Sequence, residues 1–480
     1  MIAWTIYLTF LGAIAALLLP RAYARCVALG TTVAGCLLAV SAFFEAGDFG
    51  TLHTIVRVPW IVPLGIEYHL AADGISLTMV LLTGIVAVSA VLFSWNVRER
   101  ENEFFFWLLL VVGGSYGVFL SADLFLFLLF YELVIVPKYF LIATWGSTNK
   151  AYAAMKLTLY SFLGGALVLI AFVATYVAGG SFDLHVLSQV HFMPQFQAWV
   201  FPVMFLGFSV LAGMWPLHTW APTGHVAAPT AGSMLLAGIV MKLGAYGVLR
   251  IAMNLFPEGF QMWRYPIALL AVMGIVYAAA VALRQRDLKF VIGYSSVSHM
   301  GFVLLGLATA QALGVAGAVL QMFSHGIIAG LLFAVVGRMI YPRTHTRFLD
   351  ELAGMNLSRA IPFAACVFAV ASAASMGIPG FSGFVAEITI LLGAWRDYPL
   401  LVIITGAGMV LTAAFTLRAF SLAFLGGKAE STPLKCDPIT PAEKWGAALL
   451  IVATLAAGLY PKPLFDHIMP AVLSMHWLKP

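Results

Sequence analysis

Five ionisable side chains stand inside long apolar runs of this sequence: Glu132, Lys242, His299, His325 and Glu387. Carboxylates, an ammonium and imidazoles take up and release protons near neutral pH once burial and neighbours have moved their affinities. A charge in the bilayer interior costs at least about 2.5 kcal/mol on the mildest scale. Such residues need a reason, and a proton relay supplies one. The bland readings differ in strength. Glu132, in LFLFLLFYELVIVP, would be a protonated structural acid, but packing alone does not call for a carboxyl group. Lys242 is too central in its run to snorkel comfortably to either interface. A lone buried histidine is more often a hydrogen-bonded core residue, yet His299 and His325 lie in successive runs, each preceded by serine. Together they favour a hydrated proton path. A metal site built from His218, His225, His299 and His325 has no supporting ligand spacing.

The backbone around these residues is interrupted. Residues 211–242, LAGMWPLHTWAPTGHVAAPTAGSMLLAGIVMK, place Gly213, Pro216, Pro222 and Pro229, with His218 and His225, in hydrocarbon-like surroundings. Broken backbone is tolerated at membrane depth only where it is buried in protein or lines a wet cavity. A second break, Gly377, Pro379, Gly380 and Gly383 in SMGIPGFSGFVAE, falls just before Glu387. Paired interruptions are the sequence sign of inverted repeats with a site near the midplane. They predict repeats at 104–253 and 265–425, preceded by helices in 1–103 and followed by a last helix and tail in 426–480.

Composition requires a membrane. Of 480 residues 62% are hydrophobic and 9% charged, against roughly 25% charged in an ordinary soluble domain. Apolar runs of about 20 residues recur from 2–19 to 444–460, predicting an all-α polytopic membrane protein of about fourteen transmembrane helices. The first run is followed, not preceded, by basic residues, Arg21 and Arg25, and reads as a retained span. The polar connection 45–73, with Pro59 and Pro63 among β-branched residues, predicts an external hairpin. Basic residues cluster in alternate loops, among them Arg98, Arg100, Arg284, Arg286, Lys428 and Lys435. By the positive-inside rule both termini face outward, periplasmic if the membrane is the bacterial inner one. No nucleic-acid footprint, glycine-rich nucleotide fingerprint or CxxC spacing is present, so no redox cofactor or metal is expected in this chain.

Six runs resemble the antiporter-like membrane subunits of respiratory complex I, the NADH-quinone oxidoreductases, and their subunit M branch in particular: VPWIVPLGIEYHLAADGISL, LFLFLLFYELVIVPKYFLI, PLHTWAPTGHVAAPTAGSMLLAGIVMKLGAYGVLR, RDLKFVIGYSSVSHMGF, YPRTHTRFLDELAGM and GIPGFSGFVAEITILLGAW. The resemblance covers nearly the whole chain. It implies two inverted five-helix repeats with helices seven and twelve broken, and proton translocation driven by quinone reduction elsewhere in the assembly. It also implies FMN, iron–sulfur clusters and quinone in partner subunits, with sister antiporter-like subunits and lipid as neighbours. By position, Glu132 is similar to the family's fifth-helix glutamate, Lys242 to its central lysine, and His299 and His325 to its relay histidines. Glu387 matches the twelfth-helix glutamate, and His218 and His225 the histidines at the first break.

One position departs. Where the resemblance places a seventh-helix lysine that pairs with the glutamate, this chain has Leu211. Lys138, beside Pro137, is the candidate substitute, although six residues separate it from Glu132, about 9 Å along an ideal helix and not on the same face. Snorkelling is its competing reading. Lys156 and Arg418, nearer helix ends, are secondary candidates. The competing functions are a subunit of a multi-subunit cation/proton antiporter, of a membrane-bound hydrogenase or specialised complex I variant, and a non-pumping scaffold.

Overall fold

In a bilayer interior, backbone groups must be bonded within the protein, which favours helices. The structure, a computed structural model, describes residues 1–45, 47, 49–426 and 436–478. Lys428 and Lys435 lie outside the described residues. Among the described residues twelve helices are long and apolar enough to cross a membrane: α2 (Arg21–Phe44), α3 (Gly74–Phe93), α4 (Glu101–Leu120), α5 (Leu124–Trp145), α6 (Lys150–Gly179), α7 (Pro194–Ala212), α9 (Thr230–Leu255), α10 (Pro257–Arg284), α11 (Leu288–Ala308), α12 (Ala312–Thr344), α15 (Pro399–Leu425) and α16 (Pro441–Leu459). Shorter helices accompany them: α1 (Trp4–Leu18), α8 (Trp220–Ala227), α13 (Pro362–Ser375), α14 (Ser382–Trp395) and α17 (Lys462–Leu473).

Burial sorts the helices. The apolar windows of α9 and α12 are 100% buried, that of α2 only 28%. Lys242 and His325 thus sit on the two helices furthest from lipid. Small residues bring these helices together: a Cβ on Gly326 would lie 2.6 Å from the Gly238 carbonyl, and one on Gly238 would lie 3.1 Å from the Gly326 carbonyl. Close backbone approach of this kind is how helices associate where lipid is as apolar as leucine.

Both expected breaks are present. α7 stops at Gly213, whose φ of +70° is left-handed and suits glycine. Pro216 falls in the link, and Pro229 directly precedes α9. Pro222 breaks nothing: it lies in the first turn of α8, where backbone N–H groups have no intrahelical partner to lose. Between α13 and α14, Gly377 and Gly380 take φ of +68° and +97°. α5 is interrupted at Val134, three residues before Pro137, as the clash of proline with the preceding turn requires. One feature had no sequence expectation: α9 contains π-helical turns at Leu236–Val240 and Val248–Ala252.

The connection 45–73 contains the predicted hairpin, β1 (His53–Ile61) antiparallel to β2 (Ile66–Ala72). Arg57 pairs with Glu67 (2.6 Å) and with Asp183 (3.3 Å) from the α6–α7 connection. His69 bonds Asp183 through Nδ1 (2.8 Å) and Thr54 through Nε2 (2.9 Å). Burial alone would raise the Asp183 carboxyl, but the bonds from His69 and the Val186 N–H, and the charges of His69 and Arg57, hold it below its ordinary value.

Two outcomes follow. Gly326→Ala, which meets backbone, is expected to destabilise the fold by roughly 1–3 kcal/mol and Gly238→Ala by less; equal melting temperatures of the two purified variants would refute the crossing as described. A carboxyl with a lowered folded pKa stabilises at neutral pH, and this contribution is lost as pH falls through that pKa. Hydrogen-exchange protection of β2 should therefore drop below the ordinary aspartate range, and drop already at neutral pH in Asp183→Asn.

Candidate functional site

The π turn at Leu236–Val240 ends just before Lys242, which is fully buried. Its ammonium donates to the carbonyl of Ala237 and, at 2.8 Å, to Nδ1 of His325. With Nδ1 accepting, the proton of a neutral His325 resides on Nε2. The rings of His325 and His299 lie 5.3 Å apart between centroids. His299 in turn has Nε2 3.1 Å from the Ser375 hydroxyl, while Nδ1 is 3.2 Å from Gln321 Nε2 and 3.3 Å from Glu387 Oε1. The other Glu387 oxygen lies against Gly377, where a Cβ would come within 2.7 Å of it. Four of the expected residues therefore form one continuous line, from Lys242 through His325 and His299 to Glu387 at the second break.

Glu132 stands apart from that line. Its carboxylate rests on the backbone of α6, at a point where a Cβ on Gly165 would overlap it, and its buried Oε1 has no hydrogen-bond partner among the described residues. Lys138 is 2% exposed, so the snorkelling alternative fails. It makes no ion pair with Glu132 among the described residues, in keeping with their spacing along the helix. Its ammonium, also without a hydrogen-bond partner there, lines a small space with Val111, Leu141, Gly232, Leu236 and Val240. Two members of that wall, Leu236 and Val240, belong to the π turn preceding Lys242, while Glu132 remains within electrostatic reach of Lys138. Leu211 is buried in the last turn of α7.

The histidines of the first break do not join a metal-binding group among the described residues. His225 is wholly buried, stacks on Phe333 at 4.9 Å, and has neither ring nitrogen bonded there. It lies within electrostatic reach of both Lys242 and Lys289. His218 packs near the rings of Tyr277 and Tyr294. Lys156 reaches Thr223 (3.5 Å), and Arg418 donates to the carbonyls of Leu283 and Gln285 at the end of α10, a capping role.

Sequence reasoning missed four participants. Gln321 stands one helical turn before His325 and was findable from that spacing. Ser375, ending α13, was not. Lys289, in the first turn of α11, is buried and donates to the carbonyl of Ala228 at 2.9 Å between α8 and α9. Arg250, two turns beyond Lys242, pairs with Asp73, which also caps α3.

Ionisable side chains buried in line across a bundle of apolar helices, beside interrupted ones, are the build of a membrane ion-translocation subunit. Residues 121–415 match the family described as NADH:quinone oxidoreductase/Mrp antiporter, TM, and the chain belongs to that family. It is 37% identical to NADH-quinone oxidoreductase subunit M of Rhodobacter capsulatus, over 94% of this chain and 90% of that one. It is 38% identical to NAD(P)H-quinone oxidoreductase chain 4 1 of Synechococcus elongatus, over 87% of this chain and 79% of that one. A chain of respiratory complex I from Thermus thermophilus superposes over 100% of both chains with a TM-score of 0.92 at 26% identity.

Proposed function

We propose that the chain is the proton-translocating, antiporter-like membrane subunit, of the M or chain 4 type, in a complex I-type NADH-quinone oxidoreductase. The observation that carries this is the line Lys242, His325, His299, Glu387, with a hydrogen bond of 2.8 Å at its first step, rings 5.3 Å apart between centroids at its second, and 3.3 Å between Nδ1 and Oε1 at its third. Two unit charges about 4 Å apart at an effective dielectric of about 20 interact by about 4 kcal/mol, or roughly three pKa units. A proton moving at one member therefore changes the affinity of the next. Glu132 and Lys138 feed Lys242 from the α5 side, with Lys138 reaching the π turn rather than pairing with Glu132. His218 and His225 belong to the first break, through which protons reach Lys242.

In this reading α1 crosses the membrane, and α7 with α8, and α13 with α14, are two broken crossings, giving fourteen. The repeats span 104–253 and 265–425, and both termini face the periplasmic side of a bacterial inner membrane. Electrons do not pass through this chain: FMN, iron–sulfur clusters and quinone belong to partner subunits, and sister antiporter-like subunits flank it. A second reading, a subunit of a cation/proton antiporter, is favoured by the family's own description, which names both systems. Identification of co-purifying chains separates them: flavoprotein and iron–sulfur subunits support the first, small antiporter subunits the second.

Glu132→Gln is expected to lower the number of protons moved per electron; an unchanged ratio would mean a non-pumping scaffold. Lys138→Met should reduce pumping at least about tenfold, the loss of one well-placed charge interaction of more than about 1.4 kcal/mol. Adding Leu211→Lys in that background should restore part of it, because it supplies a cation from α7. Full pumping by Lys138→Met alone would remove Lys138 from the path.

A further inference from the structure

The ring nitrogen of His299 that faces Glu387 has two suitors of opposite kind. Gln321 Nε2 lies 3.2 Å from Nδ1 and can only donate, whereas Glu387 Oε1 lies 3.3 Å from the same atom and, ionised, can only accept. Nδ1 satisfies one of them at a time: without a proton it accepts from Gln321, and with a proton it donates to Glu387. All three side chains are buried, at 4%, 1% and 3% exposure for His299, Gln321 and Glu387. The amide oxygen of Gln321 has no partner among the described residues. Turning the amide over would bring that oxygen towards the Glu387 carboxylate, and two acceptors would then crowd one nitrogen. The negative charge of Glu387 therefore holds the amide with its N–H on His299.

We infer that Gln321 is a positioning residue of the proton path, competing for Nδ1 of His299 with the proton that would otherwise lock His299 and Glu387 into a buried ion pair. A hydrogen bond made to the neutral form of a group disfavours its charged form. Without Gln321 an imidazolium and a carboxylate at this separation, away from solvent, would hold each other strongly, and a relay site that never releases its proton conducts nothing. Nε2 is no obstacle to either state, because the Ser375 hydroxyl can donate or accept. The ionisable groups facing His299 are Glu387 from α14 and His325 from α12, with Lys242 of α9 beyond His325. From α13 it meets Ser375, and α10 and α15 bring no ionisable side chain into bonding distance of it among the described residues. When Glu387 itself takes the proton, its hold on the amide relaxes and Gln321 can turn, so the amide follows the charge on the last member of the line.

This inference rests on the proton-relay reading, and its test separates the two. In inverted membrane vesicles holding the complete assembly, NADH-driven proton uptake per electron is measured against pH for the parent protein, Gln321→Leu, Gln321→Glu and Lys242→Met. Gln321→Leu removes the competing donor, and the nearly isosteric Gln321→Glu replaces it with an acceptor. Both should move the pH profile of uptake upward, by about 0.5–1 unit for the loss of one neutral hydrogen bond and by more for the added carboxylate. A residue that only fills space would lower uptake equally at every pH. An unmoved profile in both Gln321 variants, with Lys242→Met impaired, overturns the role of Gln321 and leaves the relay standing. Undiminished uptake in Lys242→Met overturns the relay itself.

Discussion

An ammonium with no exposure, set in a helix whose neighbours are almost all apolar, must find compensation within reach of one side chain, and Lys242 finds it in a backbone carbonyl and an imidazole. Much of the bundle can be read from that requirement. The carbonyl is that of Ala237, inside the π turn where the helical ladder is re-registered. Regions of this kind frequently mark functional positions because they release or redirect a backbone group. The imidazole arrives from α12, and it arrives close enough because Gly238 and Gly326 let the two backbones touch. A side chain larger than hydrogen at Gly326 would hold the helices apart, and an unpaired buried charge would cost several kcal/mol. The glycines and the lysine are thus parts of one device.

The line continues to a break because a carboxylate also needs an exit from regular helix. Glu387 lies against Gly377, whose left-handed backbone bends the chain away and leaves room for the carboxyl oxygens. The two breaks serve different ends. The second holds the acid that ends the line, whereas the first places two histidines whose rings sit among aromatic side chains.

How much of this could be read beforehand depended on whether a feature is written in residue type or in geometry. The breaks were legible because glycine and proline act locally, and the buried ionisable residues were legible because a charge in an apolar run is costly wherever it stands. The hairpin followed from Pro59 and Pro63 among β-branched residues. What stayed hidden needed three dimensions. Pro222 carries the same letter as Pro216, but only its place in the first turn of α8 makes it harmless. Arg250 was passed over because its partner, Asp73, is remote in sequence. Gln321 is neutral and drew no notice, although its spacing from His325 was in plain view. The π turns leave no compositional mark at all.

Lys138 and Leu211 mark where this chain departs from the pattern its relatives imply. The family resemblance implies a lysine in place of Leu211 that pairs with the glutamate. In its absence Glu132 lies on the bare backbone at Gly165, and the nearest candidate cation, six residues along its own kinked helix, looks instead towards α9. An ion pair that opens and closes switches proton affinity by contact. A cation that makes no such contact acts on the glutamate by Coulomb coupling alone, which falls only as the inverse of distance in a low-dielectric interior. The coupling is weaker per site, but it needs no helix to move. In the proposed function a charge signal would therefore pass from α5 to α9 by coupling across the space that Lys138 shares with Leu236 and Val240, with no ion pair that has to open and close.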